Sequence, residues 1–169
     1  MQEVYANFKV YEDNRDFLGI AEAALPDLTY LSQTLTGAGM AGNVERIVTG
    51  HVDAMTLGLT FHIFSETAMQ LAEPRNHAID LRIARDGVDQ VTKRKFTDSI
   101  RHSFVVEPKS IGGGTVAPAS TANISGQYSV HYWKTTINGK RVMEIDPENM
   151  VCYLNGRDYL APARAALGM

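Results

Sequence analysis

One cysteine, Cys152, occurs among the 169 residues, so no internal disulfide can staple this chain. A lone cysteine fits a reducing compartment. No tract approaches the ~20 consecutive apolar residues of a membrane-spanning helix, and no membrane insertion by this chain is expected. The opening residues, Met1 to Asp13, lack the basic-then-apolar order of a secretory signal. Tandem repeats and low-complexity tracts are absent. Net charge is −3 and the pI lies near 5.9, which is not the basic balance of a typical nucleic-acid binder. Catalytic signatures are missing too: there is no G-x-S-x-G, no Walker loop and no C-x-x-C. The histidines His51, His62, His77, His102 and His131 show neither H-x-x-x-H nor H-E-x-x-H spacing, and none is placed to pair with Cys152. No catalytic residue, metal or cofactor is therefore expected.

What remains is an ordinary globular composition, 44% hydrophobic and 21% charged. The length suffices to bury a core without staples, and residues 1–169 are expected to form a single domain. The organising stretch is Thr121 to Asn149. A long alternating run meets Asn138-Gly139, then a second run ends at Asp146-Pro147. A two-residue type I′ turn needs positive φ at both centres, and Asn-Gly tolerates that best. In that register Ile137 faces Lys140, Thr135 faces Val142, Trp133 faces Glu144 and Tyr132 faces Ile145. Ile124, Tyr128, Val130 and Tyr132 form the expected core side, and Met143 and Ile145 join them.

Other strands read from the same period of two. Val4 to Tyr11 is one, Phe17 to Ala24 a second after a polar turn at Glu12 to Asp16, and Leu28 to Thr36 a third beyond Pro26. His51 to Phe64 puts Met55, Leu57, Leu59, Phe61 and Ile63 on one face. Ser65 is placed to cap a short helix from Glu66 to Ala72, which Pro74 stops. Asp86-Gly87 signals another hairpin, which would set Asp80 opposite Lys93. The outgoing strand carries Phe96, Ile100, Phe104 and Val106 on one side. Lys93, Lys95, Arg101 and neighbouring polar residues occupy the other, a solvated strand face. Such a long strand would outrun its partner and need covering. Glu107 to Thr121 reads as a loop, Asn149 to Asn155 as a short strand, and Asp158 as the cap of a last short helix through Ala165.

Gly37-Ala38-Gly39-Met40-Ala41-Gly42 matches G-x-G-x-x-G and follows a strand. A dinucleotide site also needs a helix to open at once, so that its amides meet the pyrophosphate. Here β-branched Val44, Ile47, Val48 and Thr49 follow, and Gly50 ends the stretch. The segment reads instead as a glycine loop that contacts partners.

Several motifs, in order along the chain, resemble the major tail tube proteins of contractile-tailed bacteriophages. Ile137 to Asn149 is similar to the family's late hairpin with its Glu-Ile-Asp and following Asn. Asn155-Gly156-Arg157-Asp158-Tyr159-Leu160 resembles its Asn-Gly-x-Asp-x-Leu, and Leu167-Gly168 its Leu-Gly ending. Leu25-Pro26-Asp27-Leu28 and Gly37-Ala38-Gly39-Met40 resemble its upstream Leu-Pro-x-Leu and glycine-methionine loop.

The resemblance implies a mainly β fold: an antiparallel β-sandwich or barrel of the tail-tube type, with one flanking short α-helix and a short C-terminal helix. It implies a structural subunit, not an enzyme. Copies would form hexameric rings stacked into a tube within a tail sheath, meeting baseplate and tail-terminator proteins. Tape measure protein and DNA would occupy the lumen transiently. The setting would be a virion tail assembled in the bacterial host cytoplasm. Gly37, Gly39, Met40, Gly42, Asn43 and Arg46 are the expected subunit or ring contacts. Two other readings compete: the tube of a bacterial secretion or phage-tail-like bacteriocin machine, and a small-ligand-binding β-barrel with a closed apolar pocket.

Overall fold

A computed structural model describes residues 2–13, 16–19 and 21–169. Twelve strands and two short α-helices make up these residues. The strands are β1 (Gln2–Glu12), β2 (Asp16–Gly19), β3 (Ala21–Ala24), β4 (Tyr30–Leu35), β5 (Val44–Val52), β6 (Met55–Phe61), β7 (His77–Val88), β8 (Lys95–Ile111), β9 (Ile124–Ile137), β10 (Lys140–Asp146), β11 (Val151–Leu154) and β12 (Arg157–Asp158). Helix α1 (Glu66–Met69) runs into a single 3-10 turn, and α2 (Ala161–Leu167) ends the chain.

Every strand pairing is antiparallel. The hydrogen-bonded order β1–β7–β8–β9–β6–β3 nearly closes on itself, because β2 pairs with β1 while β3, just beyond it in sequence, pairs with β6. The expected Phe17 to Ala24 strand is thus two strands serving opposite ends of one circuit. Its middle residue, Ile20, and Asn14 and Arg15 of the expected polar turn lie outside the described residues. β9 forks: Ile124 to Val130 pair with β6, and Trp133 to Ile137 pair with β10. The β10–β11–β12 extension therefore branches from the circuit at β9.

The core sits inside this circuit. Met55, Leu57, Leu59 and Phe61 of β6 all face inward and are buried, as the alternation predicts. Ile63 lies past the end of β6 and is exposed. Each such fully buried side chain contributes roughly 1.5–3 kcal/mol relative to exposure. Phe104 stacks on Trp133 with ring centroids 5.6 Å apart, closing the middle of the sheet.

Asn138 and Gly139 do form the hairpin turn, with φ of 49° and 78°, and Ile137 pairs with Lys140. Beyond that the register differs from expectation. Val142 is an extra residue, so Thr135 faces Met143, Lys134 faces Glu144 and Trp133 faces Ile145. A second irregularity leaves His131 unmatched between Val105 and Val106 of β8. One extra residue reverses which side chains point inward. Tyr128 and Val130 are buried before the bulge, Trp133 and Thr135 after it. Tyr132 turns to the opposite face, where its hydroxyl donates to Glu144 Oε1 at 2.9 Å. Burial and that carboxylate push its phenol up to about 12.

Asp86-Gly87 also departs from expectation: both residues lie within β7, and Gly87 pairs with Phe96. The Phe96 ring sits where a Cβ on Gly87 would be, so the glycine serves packing rather than a turn. The chain reverses at Asp89 to Arg94, where the Asp89 carboxylate accepts from Val91 N at 2.8 Å and Thr92 N at 3.3 Å. Those amide bonds hold its carboxyl below the usual range. Asp80 consequently lies opposite Ser103, not Lys93. β8 runs 17 residues and takes in Glu107 to Ile111, which were expected as loop; Pro108 sits at a register shift, where a missing N–H is tolerated.

Ser65 caps α1 as expected, accepting from Ala68 N at 3.1 Å. Asp158 stands two residues before the α2 cap, Leu160. It accepts from Leu160 N at 3.0 Å and from Arg164 Nη2 at 2.6 Å, and so ties the helix to β12.

Candidate self-assembly surface

β4 and β5 form a sheet of their own, apart from the barrel. Leu35 faces Val44, Thr34 faces Glu45, Gln33 faces Arg46 and Ser32 faces Ile47. The glycine run is the tip of this hairpin. The segment expected as a glycine loop is thus a loop only at its tip: Val44 to Thr49 are strand, and β4 is the partner. Gly37, Gly39, Met40, Gly42 and Asn43 lie in the tip, while Arg46 sits down the strand.

The base of this arm is anchored. Asp53 N donates to Thr29 O at 2.8 Å. Leu28 and Val52 pack on the core, and Gly50 has φ 74° with Leu160 covering its Cα. A Cβ at Gly50 would lie 2.5 Å from Leu160 Cγ. Burial there raises the Tyr30 phenol, with Cys152 and Tyr159 adding to the shift.

Past its base the arm is bare on both sides. Residues Leu31 to Val44 and on to Thr49 are all exposed. Alternation sets Leu31, Leu35, Val44 and Val48 on one face around the Gln33–Arg46 pair, and each is at least 40% exposed. Ile47 on the other face is 60% exposed, and Met40 at the tip 44%. Two strands alone are marginal in water, and an apolar patch of this kind marks a protein contact site. Among the described residues, chain neighbours aside, nothing lies within 4 Å of a Cβ built on Gly37, Gly39 or Gly42. Gly39 needs its freedom for a φ of 92°; Gly37 and Gly42 have no such reason inside the protomer.

A second open margin lies on β1. Only Val10 to Glu12 pair with β2, so the rest of that edge has no partner among the described residues. Val4 and Tyr5 there are 69% and 66% exposed. An apolar hollow of about 350 Å³ lies alongside, lined by Tyr5, Phe8, Ala23, Leu25, Leu81 and Ile83.

The histidines divide by environment. His62 Nδ1 is 2.9 Å from Asn123 Oδ1. His131, the bulge residue, lies between Glu107 and Glu148 at 3.4 and 3.8 Å. His77 and Glu12, not singled out by the sequence, form a buried pair at 2.5 Å, with Arg75 Nη2 2.9 Å from the same oxygen. His102 Nδ1 accepts from Trp133 Nε1 at 3.3 Å and meets Thr135 Oγ1 at 2.8 Å. Burial lowers its pKa, and donors on both partners favour the neutral ring. No group of three or more metal-ligating side chains with metal-site geometry occurs among the described residues. No helix in those residues is long and apolar enough to cross a membrane.

A closing barrel with a bare, tethered arm and an open sheet edge is the shape of a self-assembling structural subunit. The model of the phage tail tube protein FII family matches residues 2–168. The chain belongs to that family and is a tail tube subunit. Its fold resembles a chain of the extended-state sheath–tube complex of an extracellular contractile injection system, PVC, solved by cryo-EM. That likeness has a TM-score of 0.55 at 12% identity over 79% of this chain and 89% of the other. No curated protein sequence matches significantly.

Proposed function

We propose that this protein builds the inner tube of a contractile tail by closing rings of six copies and stacking them. Residues 1–169 act as one tube domain with no catalytic role. The observation that carries this is the β4–β5 arm, whose apolar face is exposed and whose open glycines meet no neighbour among the described residues. The arm reaches an adjacent copy, with Gly37, Gly39, Met40, Gly42, Asn43 and Arg46 at the contact. Head-to-tail contacts that close give rings, and axial repetition gives a tube. The open β1 edge takes part in the same assembly. A sheath protein is the outer partner. Baseplate, tail-terminator and tape measure proteins meet the tube, and DNA passes through its lumen in a virion assembled in the host cytoplasm.

A contractile injection system is the second reading, favoured by the fold likeness to the PVC chain. The ligand-barrel reading has less support, since Phe104, Tyr128, Leu57 and Trp133 occupy the interior where a ligand would sit.

The test is electron microscopy of the purified protein, which should show rings or tubes with an open channel. Leu35→Asp with Val48→Asp should abolish tubes while the unassembled protein keeps its fold by circular dichroism. Normal tubes from that variant would refute the arm's role, and a strictly monomeric wild-type particle at high concentration would refute the tube.

A further inference from the structure

The dipeptide Asn-Gly occurs twice, at Asn138-Gly139 and Asn155-Gly156, and the two copies sit in nearly the same backbone. Each forms the two-residue loop of a hairpin: Ile137 pairs with Lys140 in one, and Leu154 with Arg157 in the other. Asn138 and Asn155 have φ of 49° and 47°, and the glycines that follow have 78° and 92°. The main-chain contact of the asparagine repeats as well. Asn138 N donates to Ser99 O, and Asn155 N to Val142 O, both at 2.8 Å.

The side chains differ. Asn138 reaches across to β8, where its Oδ1 accepts from Ser99 N at 2.9 Å and its Nδ2 donates to Asp98 Oδ1 at 2.8 Å. An amide held at both ends by β8 is turned from its own main chain. Asn155 is exposed, and its side chain has no hydrogen-bond partner among the described residues. Nothing there holds the amide away from the nitrogen of Gly156. Glycine, without a Cβ, also leaves that nitrogen unhindered. The other described asparagines precede bulkier residues: Phe8, Val44, His77, Ile124 and Met150.

We propose that Asn155 is a site of self-modification, losing its side-chain amide through a cyclic imide with Gly156, and that Asn138 is protected from the same reaction. The Gly156 nitrogen attacks Asn155 Cγ. The new N–Cγ bond replaces the Cγ–Nδ2 bond, and ammonia leaves with the proton that the Gly156 nitrogen gives up. Water then opens the imide, and no step is an oxidation or a reduction. Attack at Cγ gives aspartate. Attack at the main-chain carbonyl carbon gives isoaspartate, whose main chain runs through Cγ and is longer by a methylene. Asn138 must first break both bonds to β8, one of them to a carboxylate, which slows it about tenfold or more.

β12 consists of Arg157 and Asp158, and its pairs with β11 lie directly beyond the turn. Asp158 accepts from Leu160 N and from Arg164 Nη2, which ties α2 to the sheet. Leu160 in turn covers Gly50 at the base of the β4–β5 arm. A lengthened loop no longer suits the two-residue turn, so isoaspartate loosens β12 and, through Asp158, the seat of the arm.

The test is peptide mapping by mass spectrometry of the purified full-length protein held in mildly alkaline buffer, where the Gly156 nitrogen gives up its proton more readily. Chromatography separates isoaspartate from aspartate at both turns. Asn155 should convert about tenfold faster than Asn138 in the same molecules, and the gap should close in urea, where neither turn is formed. Asp98→Ala removes the acceptor of Asn138 Nδ2 and should narrow the gap, with thermal unfolding to check that the variant is folded. Asn155→Gly keeps a residue that the turn accepts. It should keep its melting temperature on storage, while stored wild type melts lower. Equal rates at the two turns of folded protein, faster loss at Asn138, or no conversion at either turn overturns the proposal. A gap unchanged in folded Asp98→Ala overturns protection by the bonds to β8. Conversion at Asn155 without a lower melting temperature overturns the link to α2 and the arm. Both rates are read whether or not the protein forms tubes, so the outcome is separate from that of the tube reading.

Discussion

β6 and the β4–β5 arm are built from similar residues and end in opposite environments. β6 reads Met-Thr-Leu-Gly-Leu-Thr-Phe, and all its odd positions are buried. β4 reads Tyr-Leu-Ser-Gln-Thr-Leu, and five of its six residues are exposed. Both alternate. The difference lies in neighbours: among the described residues β6 is flanked by β3 and β9, while β4 pairs with β5 alone. Alternation therefore declares that a face is to be covered, and the protomer decides whether it covers that face itself. In this family of tube subunits, the uncovered face is where another copy is expected.

The contrast breaks most sharply in the core. Trp133→Ala removes the ring stacked on Phe104 and strips His102 of a donor. It should lower the stability of unassembled protein by about 3–5 kcal/mol in urea unfolding. A change below roughly 1 kcal/mol would show that the bulged half of β9 is not core. At the arm's base, Gly50→Ala combines positive φ with overlap onto Leu160. We expect a loss of about 1–3 kcal/mol, whereas a stabilised variant would mean the arm is not tied down there.

A smaller effect comes from pH. The His102 pKa is lowered by burial, so the unfolded chain binds a proton more readily than the folded one. Stability from this group is complete above the unfolded value near 6.5 and falls as pH drops below it. His102→Gln should remove that part of the slope in unfolding measured from neutral to mildly acidic pH. An unchanged slope would assign it to another group. Asp98 and Asp158 act lower. The Asn138 amide and Arg85 hold the first carboxyl down, and Arg164 with backbone amides holds the second. Their contribution is present above the ordinary carboxylate value and is lost as pH falls below it.

The smallest change in stability belongs to the tip. Gly37→Ala meets open space, and the unassembled protein should stay within ~0.5 kcal/mol of wild type. Tube growth followed by light scattering should nonetheless slow, because the added methyl meets whatever approaches that glycine. Unaltered growth would leave the tip without a contact at that position.

Much of this fold was legible along the chain. The positive-φ turn at Asn138-Gly139, the inward face of β6 and the Ser65 cap each depend on residues close in sequence. The candidate tip glycines were legible for the same reason, although their place in a hairpin was not. β5 was obscured because Gly42 and Gly50 bracket a stretch too short for its period to stand out. Asp86-Gly87 misled because a glycine required by the Phe96 ring looks the same in sequence as one required by a turn.

Sequence alone settled the local matters: strand periods, one tight turn and a helix cap. These are properties of neighbours a few residues apart, where backbone sterics and side-chain alternation act directly. Tertiary structure alone decided the rest. Bulges at His131 and Val142 set which aromatic rings face inward, because a single extra residue inverts everything after it. The circuit β1–β7–β8–β9–β6–β3 determined which margins stay open. Such alignments depend on pairing between distant segments, and no window along the chain contains them.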